Sequence, residues 1–232
     1  RRLKQLLAKL LGQMNSLLKE HGKRLNLTPG FRRRLSVIES IRVQQERAFE
    51  GEKVSNRIVS VDKPYIRPIV RGKETKNVEF GAKSNNIMVD DISFIEHVSF
   101  DAFNEGTRLK QSVFLHQRLM KTRVKSLAAD AIYATNENRR FCTRNLIYTS
   151  FVRKGRAAKD EKERELLRKV LSRERATRME GSFGTQKVHY SLLEIRARKQ
   201  ETELLWIFFG IHTANAVKMI EKMEKKSLKQ SA

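Results

Sequence analysis

The hydrophobic positions divide the chain into a helical start, a strand-rich middle and a helical end. Leu3, Leu7, Leu10, Met14 and Leu17 recur at spacings of four and three, and Leu6 and Leu18 widen the stripe, so residues 2–21 are predicted to form an amphipathic helix. Asn26 to Gly30 breaks the pattern. Thr28 before Pro29 has the chemistry of an N-cap followed by proline at the first helical position, and Phe31, Leu35, Ile38 and Ile41 carry a second helix to about Phe49. Two such helices satisfy one another most simply as an antiparallel hairpin.

Ile58 to Val61 alternates weakly and runs into Pro64 and Pro68, which marks an extended connector. Val78–Phe80, Ile87–Val89 and Ile92–Phe100 read as strands of an antiparallel meander, with Asp90 and Asp91 at a reversal. A helix over 107–119, a strand over 124–129, a helix over 136–144 beginning after Thr135 and a strand over 146–151 follow. Antiparallel strands succeeded by alternating helix and strand predict an α/β fold with a mixed sheet. Residues 152–176 form a charged helix with a narrow stripe of Leu166, Leu167, Val170 and Leu171. The segment from Glu201 to about Met223 is apolar on all sides near Trp206 to Phe209, which predicts a buried helix with Trp206 in the core, and the lysines from Lys225 onward read as a frayed tail.

Composition narrows the function classes. With 232 residues, 39% of them apolar, the chain can bury one sizeable core or two modest ones. Its net charge of +23 exceeds what solubility needs and points to a polyanion, nucleic acid first. The excess is +9 over residues 1–60, +3 over 61–130 and +11 over 131–232, a nearly balanced centre between basic flanks. Cys142 is the only cysteine, which excludes an intrachain disulfide or a cysteine zinc cluster and fits a reducing, cytoplasmic setting. The five histidines lack metal-motif spacing. The apolar run from Leu204 to Ile211 is too short to span a bilayer, so no membrane partner is expected. The opening Arg1-Arg2, with neither Met nor an apolar leader, reads as the start of a fragment in mid-domain.

Candidate chemistry centres on carboxylates. Asp130 sits where the predicted strand over 124–129 leaves the sheet, the position at which open α/β sheets place ligands, although an Asp there serves more often as a turn or cap. Glu180 is the second candidate, beside Gly181 and Gly184, small residues that permit close approach of another segment. Asp62 follows the connector, and Asp90 and Asp91 have the character of turn residues.

Five phrases in order connect these acids: Arg67-Pro68-Ile69-Val70-Arg71-Gly72-Lys73, Val78-Glu79-Phe80-Gly81-Ala82-Lys83, Asp101-Ala102-Phe103-Asn104-Glu105-Gly106, Ala129-Asp130-Ala131-Ile132-Tyr133 with Arg139-Arg140-Phe141-Cys142, and Met179-Glu180-Gly181-Ser182-Phe183-Gly184. From Arg57 to about Met219 the chain closely resembles bacterial insertion-sequence transposases of the DDE class. The resemblance implies a ribonuclease-H-like catalytic domain over 57–224, preceded by a helical-hairpin insertion over 1–56 and followed by a basic tail over 225–232. It further implies that Asp130 is the second catalytic Asp and Glu180 the final Glu, ligands of two Mg ions that activate the attacking oxygen and stabilise the leaving one. The first Asp of that family lies on an opening strand upstream of the insertion, so the expected fold lacks its first strand and the chain as given is expected to be inactive. Asp62 is the only positional substitute.

DNA phosphates would be held by Arg139 and Arg140 after Asp130, by Arg153, Lys154 and Arg156 after the next strand, and by Lys187 near Glu180. DNA ends and target are the implied partners, with a homodimer in the DNA complex and a nucleoid-associated cytoplasmic location. The alternative is a non-catalytic nucleic-acid-binding remnant or a host-adopted derivative of such an enzyme.

Overall fold

Helix and small sheets are mixed along the chain, with 59% helix, in a computed structural model that describes residues 2–70, 78–156 and 160–230. Two compact units are formed, one by the residues up to Ala82 together with Phe100–Ala102, the other by Lys83–Ser99 and the residues from Phe103 onward.

In the first unit the expected helices form as α1 (Arg2–His21) and α2 (Pro29–Phe49). Thr28 caps α2, its hydroxyl accepting from Phe31 N at 3.2 Å, and proline occupies the first turn, where its missing N–H costs no hydrogen bond. Asn15 donates to Glu39 across the pair at 3.1 Å. The connector is fastened to α2 by a buried amide: Gln44 Nε2 donates to Ile58 O at 2.6 Å while Ile58 N donates to Gln44 Oε1 at 3.0 Å. Pro68 then opens β1 (Pro68–Val70), which pairs antiparallel with β2 (Val78–Phe80) in a two-stranded sheet where a missing donor is tolerated. Ile66, Ile69 and Phe100 are buried in this unit, with Tyr65 edge-on to Phe100. The basic phrase Arg71 to Lys73 lies outside the described residues.

The second unit opens with β3 (Lys83–Val89) and β4 (Ile92–Ser99), joined through Asp90 and Asp91 at φ +48° and +65°, the left-handed pair that a two-residue hairpin turn requires. A short 3-10 turn (Glu105–Arg108) leads into α3 (Leu109–Met120). Strands β5 (Ser126–Leu127) and β6 (Tyr148–Thr149) are parallel and are linked through α4 (Asn136–Arg144), capped by Thr135 as expected. Leu109, Val113, Cys142, Ile147 and Phe151 make the core between α3, α4 and this pair. The chain continues through α5 (Glu161–Glu174), a π-helical segment (Arg175–Glu180), α6 (Gly181–His189) and α7 (Gln200–Gln230).

Three expectations are corrected. The described residues form three separate two-stranded sheets instead of one mixed sheet, and the expected meander is split, with β2 pairing to β1 and β3 to β4. The strands expected over 124–129 and 146–151 shrink to two residues each because side chains replace the ladder: Ser150 Oγ both accepts from Ala129 N and donates to Ala129 O, each at 3.0 Å. The C-terminal helix buries one face only. Glu203, Ile207, Ile211 and Asn215 recur at a spacing of four on that face, while Leu205, Phe209, Ile220 and Met223 are more than half exposed, and Trp206 is 36% exposed with its indole N–H on Ser191 O. The helix continues through the expected frayed tail to Gln230; Ser231 and Ala232 lie outside the described residues. Among the described residues no helix is long and apolar enough to cross a membrane.

Asn215 fixes α7 to the outer edge of β4. Its side chain accepts from Ser93 N at 2.9 Å and donates to Ser93 O at 2.7 Å, both in a buried setting. Asn215→Leu strands both backbone groups, so a loss of about 2–4 kcal/mol is expected. A lower urea midpoint at unchanged m-value would register it; a change within error would show that water takes over both bonds.

Candidate functional site

Asp130 stands beyond the short parallel strand β5, on a 3-10 turn (Ala131–Tyr133) that it caps itself: Oδ1 accepts from Ala131 N at 2.5 Å, and the side chain is exposed. The turn is held from several sides. Asn138, 3% exposed, donates to Gly106 O at 2.6 Å and Tyr133 O at 2.9 Å. Gly106 is required by close approach, since a Cβ there would lie 2.5 Å from Ile132 O. Tyr133 donates its hydroxyl to Asn85 on β3, and Asn85 in turn donates to Glu96 at 2.8 Å and Ser112 at 3.1 Å. Burial, followed by the charges of Glu105, Glu96 and Asp130, raises the Tyr133 pKa, so this phenol remains a donor at neutral pH. Lys83 with Glu105 at 3.0 Å and Arg108 with Glu96 compensate the neighbouring acids.

Glu180 ends the π-helical segment. Its carboxylate is exposed and pairs with Arg175 at 3.2 Å, while neighbouring Arg178 reaches Asp91 at 3.1 Å and Glu174 at 2.5 Å. The segment is one of the irregular helical turns that occur often at functional sites. Gly181 and Gly184 are helical with nothing within 4 Å of an added Cβ, so the close approach expected at these glycines is absent.

Asp130 and Glu180 have different polar partners. Both are the oxygen donors that Mg prefers, but no group of three or more His, Cys, Asp or Glu able to hold a metal is present among the described residues. They therefore do not by themselves fit a two-metal ligand set. Asp62 is taken up by Arg34 at 2.9 Å. Lys222 pairs with both Asp90 and Asp91, and its hydrogen bond holds the Asp90 carboxyl below its ordinary value.

The basic candidates separate by environment. Arg139 is half-buried, with Nε on Ala134 O at 3.1 Å and its guanidinium over the Phe151 ring, a packing role. Arg153 pairs with Glu161 at 2.5 Å, and Glu161 also binds Arg168 at 2.6 Å. The hydrogen bonds from Arg153 and then Arg168 lower the Glu161 pKa, so the cluster is complete at neutral pH and is lost as the pH falls through that depressed value. Lys154 makes one long contact, 3.5 Å to Asn136. Arg140, Arg156 and Lys187 are exposed and make no ion pair among the described residues. The support that Asn85 and Asn138 give Asp130 was not legible in the sequence, since an isolated Asn reads as a turn former and its long-range partner is set by folding.

Comparison with family models, with curated proteins and with solved structures finds no match to this chain.

Beneath the Asp130 turn lies Cys142, 2% exposed, its thiol pushed up to about 11 by burial. It is expected to resist a disulfide reagent at pH 8 in the native protein and to react fully in denaturant. Rapid native labelling would show that the core under Asp130 opens readily.

Proposed function

We propose that this chain is part of the catalytic region of a DNA transposase of the DDE class, acting on phosphodiester bonds at the ends of a mobile element and joining them to a target. The reading is supported above all by Asp130: an exposed carboxylate three residues beyond a short parallel strand, on a turn held by the buried side chain of Asn138, is what in-line chemistry at phosphorus asks of a positioned acid. Glu180 supplies the second acid, and the resemblance rests on the ordered phrases around both. A ribonuclease-H-like architecture belongs to the same proposal. So do DNA as substrate and a paired arrangement of two copies on DNA.

Transposition of this kind depends on divalent ions that stabilise charge on the attacking and leaving oxygens. Asp130 and Glu180 would be two of the ligands in a site completed by a further acid. Arg140, Arg156 and Lys187 have the exposure needed to meet phosphates; Arg153 and Lys154 would do so after exchanging their present partners.

The lack of a three-acid cluster among the described residues favours a second reading, a DNA-binding derivative that has lost the reaction. Expression in the full reading frame that contains this chain separates the two. Under the first reading the protein nicks and joins duplex DNA with Mg, and Asp130→Asn or Glu180→Gln each lowers the rate about 10³-fold or more, equivalent to about 4 kcal/mol of barrier, while DNA affinity changes little. Equal rates in the variants would remove both acids from the chemistry, and DNA binding without any cleavage would establish the derivative.

A further inference from the structure

The first unit carries a cleft of its own, far in sequence from Asp130 and Glu180. It lies at the closed end of the helical hairpin, has a volume of about 1380 Å³, and is walled by the last turn of α1, the connecting turn and the first turns of α2. Its apolar surface comes from residues such as Leu18, Leu27 and Phe31, and four cations, Lys19, Lys23, Arg24 and Arg32, line it.

The charge balance is unusual in a specific way. Cations near the C-terminus of α1 have a local explanation, since they face the negative end of that helix. Arg32 has none. It sits in the first turn of α2, which contains no acid, at the positive end of a 21-residue helix where a cation is disfavoured. The next two arginines are compensated: Arg33 donates to Asp62 O at 3.3 Å and Arg34 pairs with Asp62 at 2.9 Å. Arg32, Lys19, Lys23 and Arg24 form no ion pair among the described residues. Two carboxylates also line the cleft, Glu20 beside His21 at 3.4 Å and Glu39 accepting from Asn15 at 3.1 Å, so the four cations exceed the acids by two. An excess of positive charge in a concave site with apolar walls focuses potential outward and concentrates an anion.

We infer that the closed end of the hairpin is a second DNA contact, gripping the phosphate backbone of duplex DNA with Lys19, Lys23, Arg24 and Arg32. The inference rests on the DNA-handling function proposed above, but places a grip in the unit that holds neither Asp130 nor Glu180. A cleft with cations on both walls suits a run of phosphates, to which point charges contribute affinity without sequence preference.

The test uses the whole chain, a duplex of random sequence and a salt titration. Replacing all four cations by Gln is expected to weaken binding at least about tenfold at physiological salt. The same change should flatten the dependence of log K on log salt by about 2–4, near 0.9 for each phosphate no longer neutralised. A control variant with Lys162, Arg173, Lys225 and Lys226 changed to Gln removes equal charge from exposed positions of the other unit and is expected to weaken binding much less. Asn26→Cys carrying a photocrosslinker, with Cys142 buried, is expected to attach to DNA from inside the cleft. Equal weakening in the two charge variants, or no crosslink, overturns the cleft and leaves the proposed transposase untouched. Weakening confined to the cleft variant, in a protein that never joins DNA ends even when expressed in its full reading frame, keeps the cleft and sinks the enzyme. No binding to duplex by the unaltered chain overturns both. Cleft-dependent binding to phosphatidylserine vesicles with none to DNA reassigns it to a membrane surface and likewise overturns the proposal.

Discussion

A side-chain amide presents a donor and an acceptor side by side, the same pair a neighbouring strand would offer, and this protein depends on that equivalence. The sheets among the described residues have two strands each, so backbone along their edges and in the segments between elements is left without a ladder partner. Gln44 closes both backbone groups of Ile58, and Asn215 closes both of Ser93 on the outer edge of β4. Asn138 gathers the carbonyls of Gly106 and Tyr133. Buried apolar residues alone would not specify which edge meets which helix, because apolar contact is non-directional. The amides supply the direction.

The two candidate acids inherit contrasting supports from this arrangement. Asp130 rides on a turn bound to β3 through Tyr133 and Asn85, to the loop before α3 through Gly106, and to α4 through Asn138. Glu180 rides on a π-helical turn in a run of helix whose neighbouring glycines have open space around them, and its partner is a surface arginine. An exposed pair of that kind is worth little and is exchanged at small cost. One acid is thus held and the other is adjustable.

Charge follows the same logic of paired and unpaired groups. The excess of basic residues is large, yet several arginines serve the fold: Arg139 packs on Phe151, Arg153 and Arg168 share Glu161, and Arg108 neutralises the nearly buried Glu96. Those that stand without acids mark the places where a polyanion gains most, because a counter-ion is displaced there without breaking an internal bond. Such places exist in each of the two units.

Helical periodicity, the Thr28 and Thr135 caps and the Asp90-Asp91 reversal were readable from the sequence because each is encoded within one or two turns of chain. The phrases around Asp130 and Glu180 were readable as well, as a resemblance. Other outcomes depended on contacts between distant segments. The length of a strand is decided by what lies beside it, which is why Ser150 could end the ladder at Ala129. The one-sided burial of α7 follows from how few elements pack against it, which its own apolarity did not report. The partners of Asn85, Asn138 and Asn215 lie tens of positions away, so their roles existed only once the chain had folded. The sequence by itself determined where the helices and turns begin and which acids and bases are candidates for chemistry. The tertiary structure decided which polar groups are buried, paired or left free, because those states depend on neighbours that local pattern does not encode.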